Sequence, residues 1–231
     1  VESVVGSTGT ADVLALLAAG SVTVSDVETV TGSTGLTEVV TLGATGTLAV
    51  SAVDTVVGTT DTTDAVTLLA TGAIKVSGIE SITGTGASTD VVTLGGNGAA
   101  VTVSDVASVL GSTGTDVLTM GSATVAVSAI ETVVGTTGAT DALTLLAGGN
   151  VAVSDVDSVV GSSGAVEIVT VVAAGPALAV ANINTVLGST DTTDVVTLAA
   201  SGALAVSGVE SVVGTGNTAD VLSLLGNGAT L

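Results

Sequence analysis

Carboxylates are almost the only side chains in this sequence that could do chemistry. The 231 residues include 21 Asp and Glu and no His, Cys, Phe, Tyr or Trp, and Lys75 is the only basic residue, which gives a formal net charge of −20. Carboxylate oxygens can bind Ca²⁺, accept hydrogen bonds in turns, or act as an acid–base pair on a glycoside. A chain with a single basic group has almost nothing else from which to build an active site, and it has no basic patch for nucleic acid or anionic lipid.

The spacing of these acids is regular. One set follows a glycine-containing corner and precedes a β-branched run, as in "VGTTDTTDAVTL" (57–68). It has one member in every repeat. The candidate Ca²⁺ ligands are the nine residues Asp12, Glu38, Asp64, Asp90, Asp116, Asp141, Glu167, Asp194 and Asp220.

A second set of acids lies near the start of each repeat, and further acids lie close to both sets. The second set is Glu2, Glu28, Asp54, Glu80, Glu131, Asp157 and Glu210, interrupted by Ala107 and Asn184; the further acids are Asp26, Asp61, Asp105, Asp155 and Asp191. Stacked like charges about 5 Å apart would repel by roughly 1 kcal/mol per pair in water. Two explanations stay open: each corner acid accepts hydrogen bonds from its own turn, or the acids bind cations.

The strands and corners that position these acids are predicted from an internal repeat of about 26 residues. Its copies start at Val1, Val27, Val53, Ile79, Val106, Ile130, Val156, Ile183 and Val209, and the last copy is incomplete. Each copy holds three short β-branched segments separated by Gly or small polar corners, such as 27–30, 38–42 and 47–51. Strands this short must stack to bury an apolar face. The sequence therefore predicts an all-β, right- or left-handed parallel β-solenoid over residues 1–231, with about nine coils of ~26 residues and three strands per coil.

Lys75 sets the phase of the third strand of each repeat. A lone Lys should not point into an aliphatic core, so Ile74 and Val76 are predicted to face inward, like Leu48 and Val50 one repeat earlier. The apolar segment 168–181 is too short for a membrane-spanning helix and is predicted to form strands. No capping pattern is seen at either end, so we expect the solenoid to continue in a longer chain or to stack on other chains.

One corner carries a resemblance to a known family. In "GSTGTDVLT" (111–119), Gly111, Gly114, Asp116 and Leu118 match the repeats-in-toxin nonapeptide, with Ser112 in place of its second glycine. The chain resembles the degenerate repeat regions of large secreted bacterial surface proteins of the adhesin, surface-layer or fibre type. That resemblance implies an extracellular location and Ca²⁺ bound by the corner acids and loop carbonyl oxygens.

The function predicted from the sequence is structural rather than enzymatic. We expect a rigid rod, fibre or surface-layer element that associates end to end or laterally with itself, or with flanking repeats of the same chain, without membrane insertion. An adhesin spacer and an ice-binding solenoid are the alternatives. For ice binding, two hydroxyl columns are predicted, but a regular Thr-x-Thr face is missing and Ser often replaces Thr. The first column contains Thr41, Thr67, Thr93, Thr119, Thr144, Thr170, Thr197 and Ser223; the second contains Ser3, Thr29, Thr55, Ser81, Ser108, Thr132, Ser158, Thr185 and Ser211.

Overall fold

The chain forms two compact units, Val1–Gly114 and Thr115–Leu231. In the computed structural model, residues 3–9, 11–96, 98–138, 140–173 and 177–226 are described. Each unit is a parallel β-solenoid, which confirms the predicted fold type. Val1 and Glu2, Gly175 and the end of the ninth repeat lie outside the described residues. That the nine repeats form one continuous solenoid stays a prediction.

The described residues of the first unit form thirteen short strands, most of them three to five residues long. They are β1 (Ser3–Val5), β2 (Val13–Ala15), β3 (Gly20–Ser25), β4 (Thr29–Thr31), β5 (Glu38–Leu42), β6 (Thr47–Ser51), β7 (Thr55–Val57), β8 (Ala65–Leu68), β9 (Ala73–Ser77), β10 (Ser81–Thr83), β11 (Val91–Leu94), β12 (Ala100–Ser104) and β13 (Ser108–Leu110).

The described residues of the second unit form thirteen more strands of the same kinds. They are β14 (Val117–Met120), β15 (Thr124–Ser128), β16 (Thr132–Val134), β17 (Ala142–Leu145), β18 (Gly149–Ser154), β19 (Ser158–Val160), β20 (Glu167–Val171), β21 (Leu178–Ala181), β22 (Thr185–Leu187), β23 (Val195–Leu198), β24 (Ala203–Ser207), β25 (Ser211–Val213) and β26 (Val221–Leu224).

Consecutive strands alternate between two sheets within each unit. In the first unit one sheet has the order β1-β3-β5-β7-β9-β11-β13 and the other β2-β4-β6-β8-β10-β12, and we call these the odd and even sheets. The second unit is built in the same way, and the strand pairs are parallel in both. One coil therefore consists of one strand from each sheet and the two corners that join them.

The predicted coil size is wrong, although the predicted number of strands per repeat is right. A coil contains about 18 residues and two strands, so the two units together make about twelve turns rather than nine coils of 26 residues. A repeat of three strands completes one and a half coils. Successive repeats consequently begin on alternate sheets, and the pattern returns to the same sheet only after two repeats. A core without aromatic residues suits two sheets that face each other closely, because aliphatic side chains fill only a narrow space.

Inward-facing aliphatic residues form the core of each unit. Ile74 and Val76 are buried while Lys75 between them is exposed, which confirms the predicted phase of the third strand. Leu48 and Val50 are buried as well. Burying a Val, Leu or Ile side chain contributes about 1.5–3 kcal/mol relative to leaving it exposed. These rows therefore hold successive coils together.

The two predicted hydroxyl columns do not exist as continuous columns. Thr41 lies on β5 in the odd sheet, whereas Thr67, one repeat later, lies on β8 in the even sheet. The half-coil excess of each repeat causes this alternation. Both side chains are half-buried and occupy outward positions on their strands.

The apolar segment 168–181 contributes β20 and β21, as predicted. Among the described residues, none belongs to a helix that is long and apolar enough to cross a membrane.

Candidate functional site: the corner carboxylates

The candidate acids of the first set end the loop between the first and second strands of each repeat. We call this segment, from its glycine to its acid, the corner loop; in the third repeat it runs from Gly58 to Asp64, between β7 and β8. Seven of the nine corner acids are buried, with 0% to 4% of their surface exposed, and Asp12 and Asp220 are half-buried. The acids therefore point into the corner rather than into solvent.

Asp64 shows what a buried corner carboxylate does. Its Oδ2 accepts hydrogen bonds from the Thr59 backbone N–H at 2.6 Å and from the Thr59 hydroxyl at 2.7 Å. Its Oδ1 accepts one from the N–H of Gly46, in the preceding coil, at 3.0 Å. Charge-assisted hydrogen bonds of this kind are the stronger ones in proteins, and they compensate the cost of burying the charge.

The hydrogen bond from the residue that follows the corner glycine recurs along the chain. It joins Ser7 to Asp12, Ser33 to Glu38, Thr85 to Asp90, Thr136 to Asp141, Ser162 to Glu167, Ser189 to Asp194 and Thr215 to Asp220. Of the two explanations left open by the sequence, this geometry favours the turn-capping role.

The second acid set has a role that the sequence analysis missed. The backbone N–H of Asp64 donates to Glu80 Oε2 in the following coil at 2.9 Å, so one corner acid links three successive coils. At the corner of the seventh repeat, the backbone N–H of Glu167 donates the equivalent bond to the amide oxygen of Asn184, in the eighth repeat, at 2.9 Å. The signal in the sequence was the separation of 15 to 17 residues between each corner acid and its acceptor, which is close to one coil. The other pairs are Asp12 with Glu28, Glu38 with Asp54, Asp116 with Glu131, Asp141 with Asp157 and Asp194 with Glu210.

The corner glycine is required by a close approach between coils. A Cβ atom at Gly58 would lie 1.7 Å from the carbonyl oxygen of Gly78 in the next coil and 2.9 Å from Asp64 Oδ2. At Gly6 the corresponding distance to the carbonyl oxygen of Asp26 would be 1.8 Å. Only a residue without a side chain allows the carboxylate and the neighbouring main chain to come this close.

The residue that supplies this carbonyl oxygen has a left-handed backbone conformation. Gly78 has φ of 62°, and Ala52 and Asp26 each have φ of 52° at the same place in their repeats. The conformation is easiest for Gly, and Asn or Asp tolerate it better than other residues. This explains Asp26, Asp105 and Asp155, whose role the sequence analysis left open.

The corner acids do not form a single ladder of nine, so the predicted stacking of like charges is wrong. In the first unit, Asp12 and Asp64 precede even-sheet strands and lie on the long side where the chain passes from the odd to the even sheet. Glu38 is the first residue of β5 and Asp90 precedes β11, so both lie on the opposite long side, where the chain passes from the even to the odd sheet. Corner acids on one side are three coils apart, or about 14 Å. In the same medium, the repulsion between two charges 14 Å apart is about one third of that at 5 Å, because it falls with the inverse of their separation.

Four corners leave one buried carboxylate oxygen without a hydrogen-bond partner. These atoms are Glu38 Oε2, Asp141 Oδ1, Glu167 Oε2 and Asp220 Oδ1. Among the described residues there is no group of three or more Asp or Glu side chains that could surround a metal ion. A Ca²⁺ ion needs six to eight oxygen ligands, so an ion at these corners would take most of them from backbone carbonyls and water.

The two glutamate corners differ from the aspartate corners. The N–H of Gly20, the counterpart of Gly46, donates to the Thr37 carbonyl oxygen, which leaves Glu38 Oε2 without the bond that Asp64 Oδ1 receives. A surface groove of about 260 Å³ lies beside the Glu38 corner, with Ser33 in its lining. A groove of about 400 Å³ lies in the equivalent place beside the Glu167 corner of the second unit.

Comparison with known proteins gave no relative: no protein-family model, no curated protein and no solved structure matches the chain.

Proposed function

We propose that this chain is a structural repeat protein, a rod, fibre or surface-layer element outside a bacterial cell. The observation that supports the proposal is the repetition of one hydrogen-bonded corner. At least eight of the nine corner acids accept a hydrogen bond from the residue after the corner glycine, as Asp64 does from Thr59. Asp64 also links three coils, because it accepts a bond from Gly46 in the preceding coil and donates one to Glu80 in the following coil. Carboxylates engaged in this way hold a scaffold together, whereas an active site would depend on a few residues that differ from the rest.

The extracellular location and the kinship with repeats-in-toxin proteins rest on the corner "GSTGTDVLT" and on the composition. The absence of Cys and the high acid content fit an extracellular bacterial chain. As partners we propose copies of the same chain or flanking repeats, because parallel coils expose unpaired strand edges where they end. An adhesin spacer would use the same scaffold.

Calcium stabilisation is the part of the proposal that can be tested most directly. The unpartnered oxygens at Glu38, Asp141, Glu167 and Asp220 could each accept a cation, while the saturated carboxylate of Asp64 is already stabilised by N–H donors. We therefore propose that Ca²⁺ adds to the stability of a solenoid that folds without it. A ligand that binds only the folded state raises the unfolding midpoint with its concentration.

The experiment is thermal unfolding of the full chain, followed by circular dichroism in excess chelator and then across a Ca²⁺ titration, with Mg²⁺ as the control ion. A β-rich spectrum in chelator and a midpoint that rises with Ca²⁺ but not with Mg²⁺ would support both parts of the proposal. An unchanged midpoint at all Ca²⁺ concentrations would refute calcium stabilisation and leave the capped scaffold. A chain that folds only with Ca²⁺ would show that the hydrogen-bonded corners are insufficient on their own.

A further inference from the structure

From β4 to β12, the outward residues of the even-sheet strands in the first unit are hydroxyl and alanine side chains. We call the outward residues of β4, β6, β8, β10 and β12 the hydroxyl face. Burial alternates along each strand, so these residues are the ones between or beside the buried Val, Leu and Ile positions. They are Thr29, Thr31, Thr47, Ala49, Ser51, Ala65, Thr67, Ser81, Thr83, Ala100, Thr102 and Ser104.

Strand pairing brings these hydroxyls into a two-dimensional array. In one column Thr67 pairs with Thr83, and Thr83 pairs with Ser104. In the neighbouring column Ala65 pairs with Ser81, and Ser81 pairs with Thr102. The separation between neighbouring strands is about 4.8 Å, and two residues along a strand span about 6.6 Å.

None of the nine hydroxyl groups on this face has a hydrogen-bond partner within the part of the chain that the structure describes. Elsewhere in the same unit, hydroxyls do bond to protein groups: Ser33 Oγ donates to the Leu16 carbonyl oxygen at 2.6 Å, and Thr59 Oγ1 donates to Asp64. The hydroxyls of the face are therefore left to an external partner, which in dilute solution is water.

The odd sheet of the same unit lacks such an array, although it contains similar numbers of Ser and Thr. Its outward columns are interrupted by bulky groups: Thr41 pairs with Val57, Thr93 pairs with Leu110, and Lys75 lies between Thr55 and Thr93. The strands from β4 to β12 of the even sheet have no such bulky outward residue, and Val13 on β2 lies beside Thr29 at the margin of the face. A requirement for solubility alone would not separate the two faces in this way.

A periodic neutral face fits a periodic neutral partner. No charged side chain lies among the outward residues of the hydroxyl face, which argues against minerals and phosphate-bearing surfaces. The chain has no aromatic residue to stack on the sugar rings of a crystalline polysaccharide. A single hydroxyl gains little free energy when it exchanges one water partner for another. A rigid array that is aligned with an ordered lattice forms many hydrogen bonds at once, while the translational and rotational freedom of the protein is lost only once.

We infer that the hydroxyl face of the first unit binds ice, with Thr67, Ser81, Thr83, Thr102 and Ser104 at its centre. This function goes beyond the structural role and does not depend on calcium or on self-association. The hydroxyl columns predicted from equivalent positions of the repeats do not coincide with this face, because the Ser and Thr residues that form it come from all three strands of the repeat.

The test uses the full chain and two matched variants, Thr67→Tyr on the hydroxyl face and Thr93→Tyr on the odd sheet. Both threonines are half-buried outward residues of a second strand, and circular dichroism establishes that both variants stay folded. Partition into a growing ice front and inhibition of ice recrystallisation are measured at equal concentrations. A Tyr ring in the array separates the face from a flat lattice, so Thr67→Tyr should lose about ten-fold or more of the activity while Thr93→Tyr keeps it.

Two results would overturn the inference: wild-type protein that is excluded from ice and leaves recrystallisation unchanged, or an equal loss of activity in both variants. If Thr67→Tyr does not fold, Thr83→Tyr on the neighbouring strand takes its place, with the same expectation and the same control. The calcium titration described above is independent of all these outcomes, so a failure of ice binding leaves the structural proposal standing.

Discussion

The long sides of the first unit and its hydroxyl face both carry polar residues, but they use them in opposite ways. On the long sides, Asp64 is buried and accepts hydrogen bonds from two coils, and its own N–H reaches a third. On the hydroxyl face, Thr67 and Thr83 are each adjacent to a buried aliphatic residue of their strand, yet their hydroxyls have no partner within the described residues. The polar groups that fix the stacking of coils are thus at the corners, and those of the face are free for a partner outside the chain.

This difference predicts where substitutions matter. A change at a corner removes or blocks contacts between coils and should lower the free energy of unfolding. A change of an outward residue on the face should alter that free energy by less than about 0.5 kcal/mol, as is usual for exposed positions. Four substitutions test the corner side of this comparison.

The largest effect is expected for Gly58→Ala. Its Cβ would lie 1.7 Å from the Gly78 carbonyl oxygen, so the main chain of two coils has to separate, at a cost of about 3 kcal/mol or more. The control is Gly46→Ala, because a Cβ there meets nothing within 4 Å and the N–H that donates to Asp64 is retained. Urea unfolding followed by circular dichroism gives both values; equal midpoints for the two variants would contradict the close-packing argument.

Asp64→Ala should come next. It leaves the N–H groups of Thr59 and Gly46 without their acceptor in a buried corner, and each unsatisfied buried donor costs about 1–3 kcal/mol. Asp61→Ala is the matched control, since Asp61 belongs to the same corner loop but is exposed. The free energy of unfolding should fall by about 2–4 kcal/mol for Asp64→Ala and by less than about 1 kcal/mol for Asp61→Ala. Similar losses would mean that the carboxylate of Asp64 does not link the coils.

A gain is expected for Ala107→Glu. In the fifth repeat Ala107 stands where other repeats have an acceptor, and the N–H of Asp90 donates instead to the Ala87 carbonyl oxygen at a long 3.4 Å. A glutamate should supply the missing bond between coils and stabilise the protein by about 0.5–1.5 kcal/mol. The reverse change, Glu80→Ala, should destabilise it by a similar amount. Repulsion from Asp90 would be shown to dominate if Ala107→Glu lowers the unfolding midpoint.

The smallest effect is expected at the left-handed residues. Ala52 has φ of 52°, which costs about 1–2 kcal/mol for a residue with a Cβ, and glycine removes that strain at a cost of about 0.4–1 kcal/mol in chain entropy. Ala52→Gly should therefore raise the stability slightly, by about 0.5 kcal/mol. Gly78→Ala, at the equivalent place with φ of 62°, should lower it. Scanning calorimetry of both variants measures the difference, and a change in the same direction for both would contradict the strain argument.

Much of the fold could be predicted because it depends on local patterns. The exposed Lys75 between buried Ile74 and Val76 fixes one strand phase, and the same alternation recurs in the other repeats. The corner position of the nine acids was also readable, since each follows a glycine and precedes a β-branched run. Which hydrogen bonds Glu80 and Asn184 make could not be read in this way, because their partners lie in other coils, 16 and 17 residues earlier in the chain.

The sequence by itself determined a parallel β-solenoid with three strands per repeat, an aliphatic core and an acid at each corner, because alternation and turn chemistry act over a few residues. Only the tertiary structure decided that a coil closes after two strands, since closure depends on how two aliphatic sheets fill the space between them. That half-coil difference places Asp64 and Asp90 on opposite long sides. It also gathers Thr67, Ser81 and Thr102, from different strands of the repeat, onto one face.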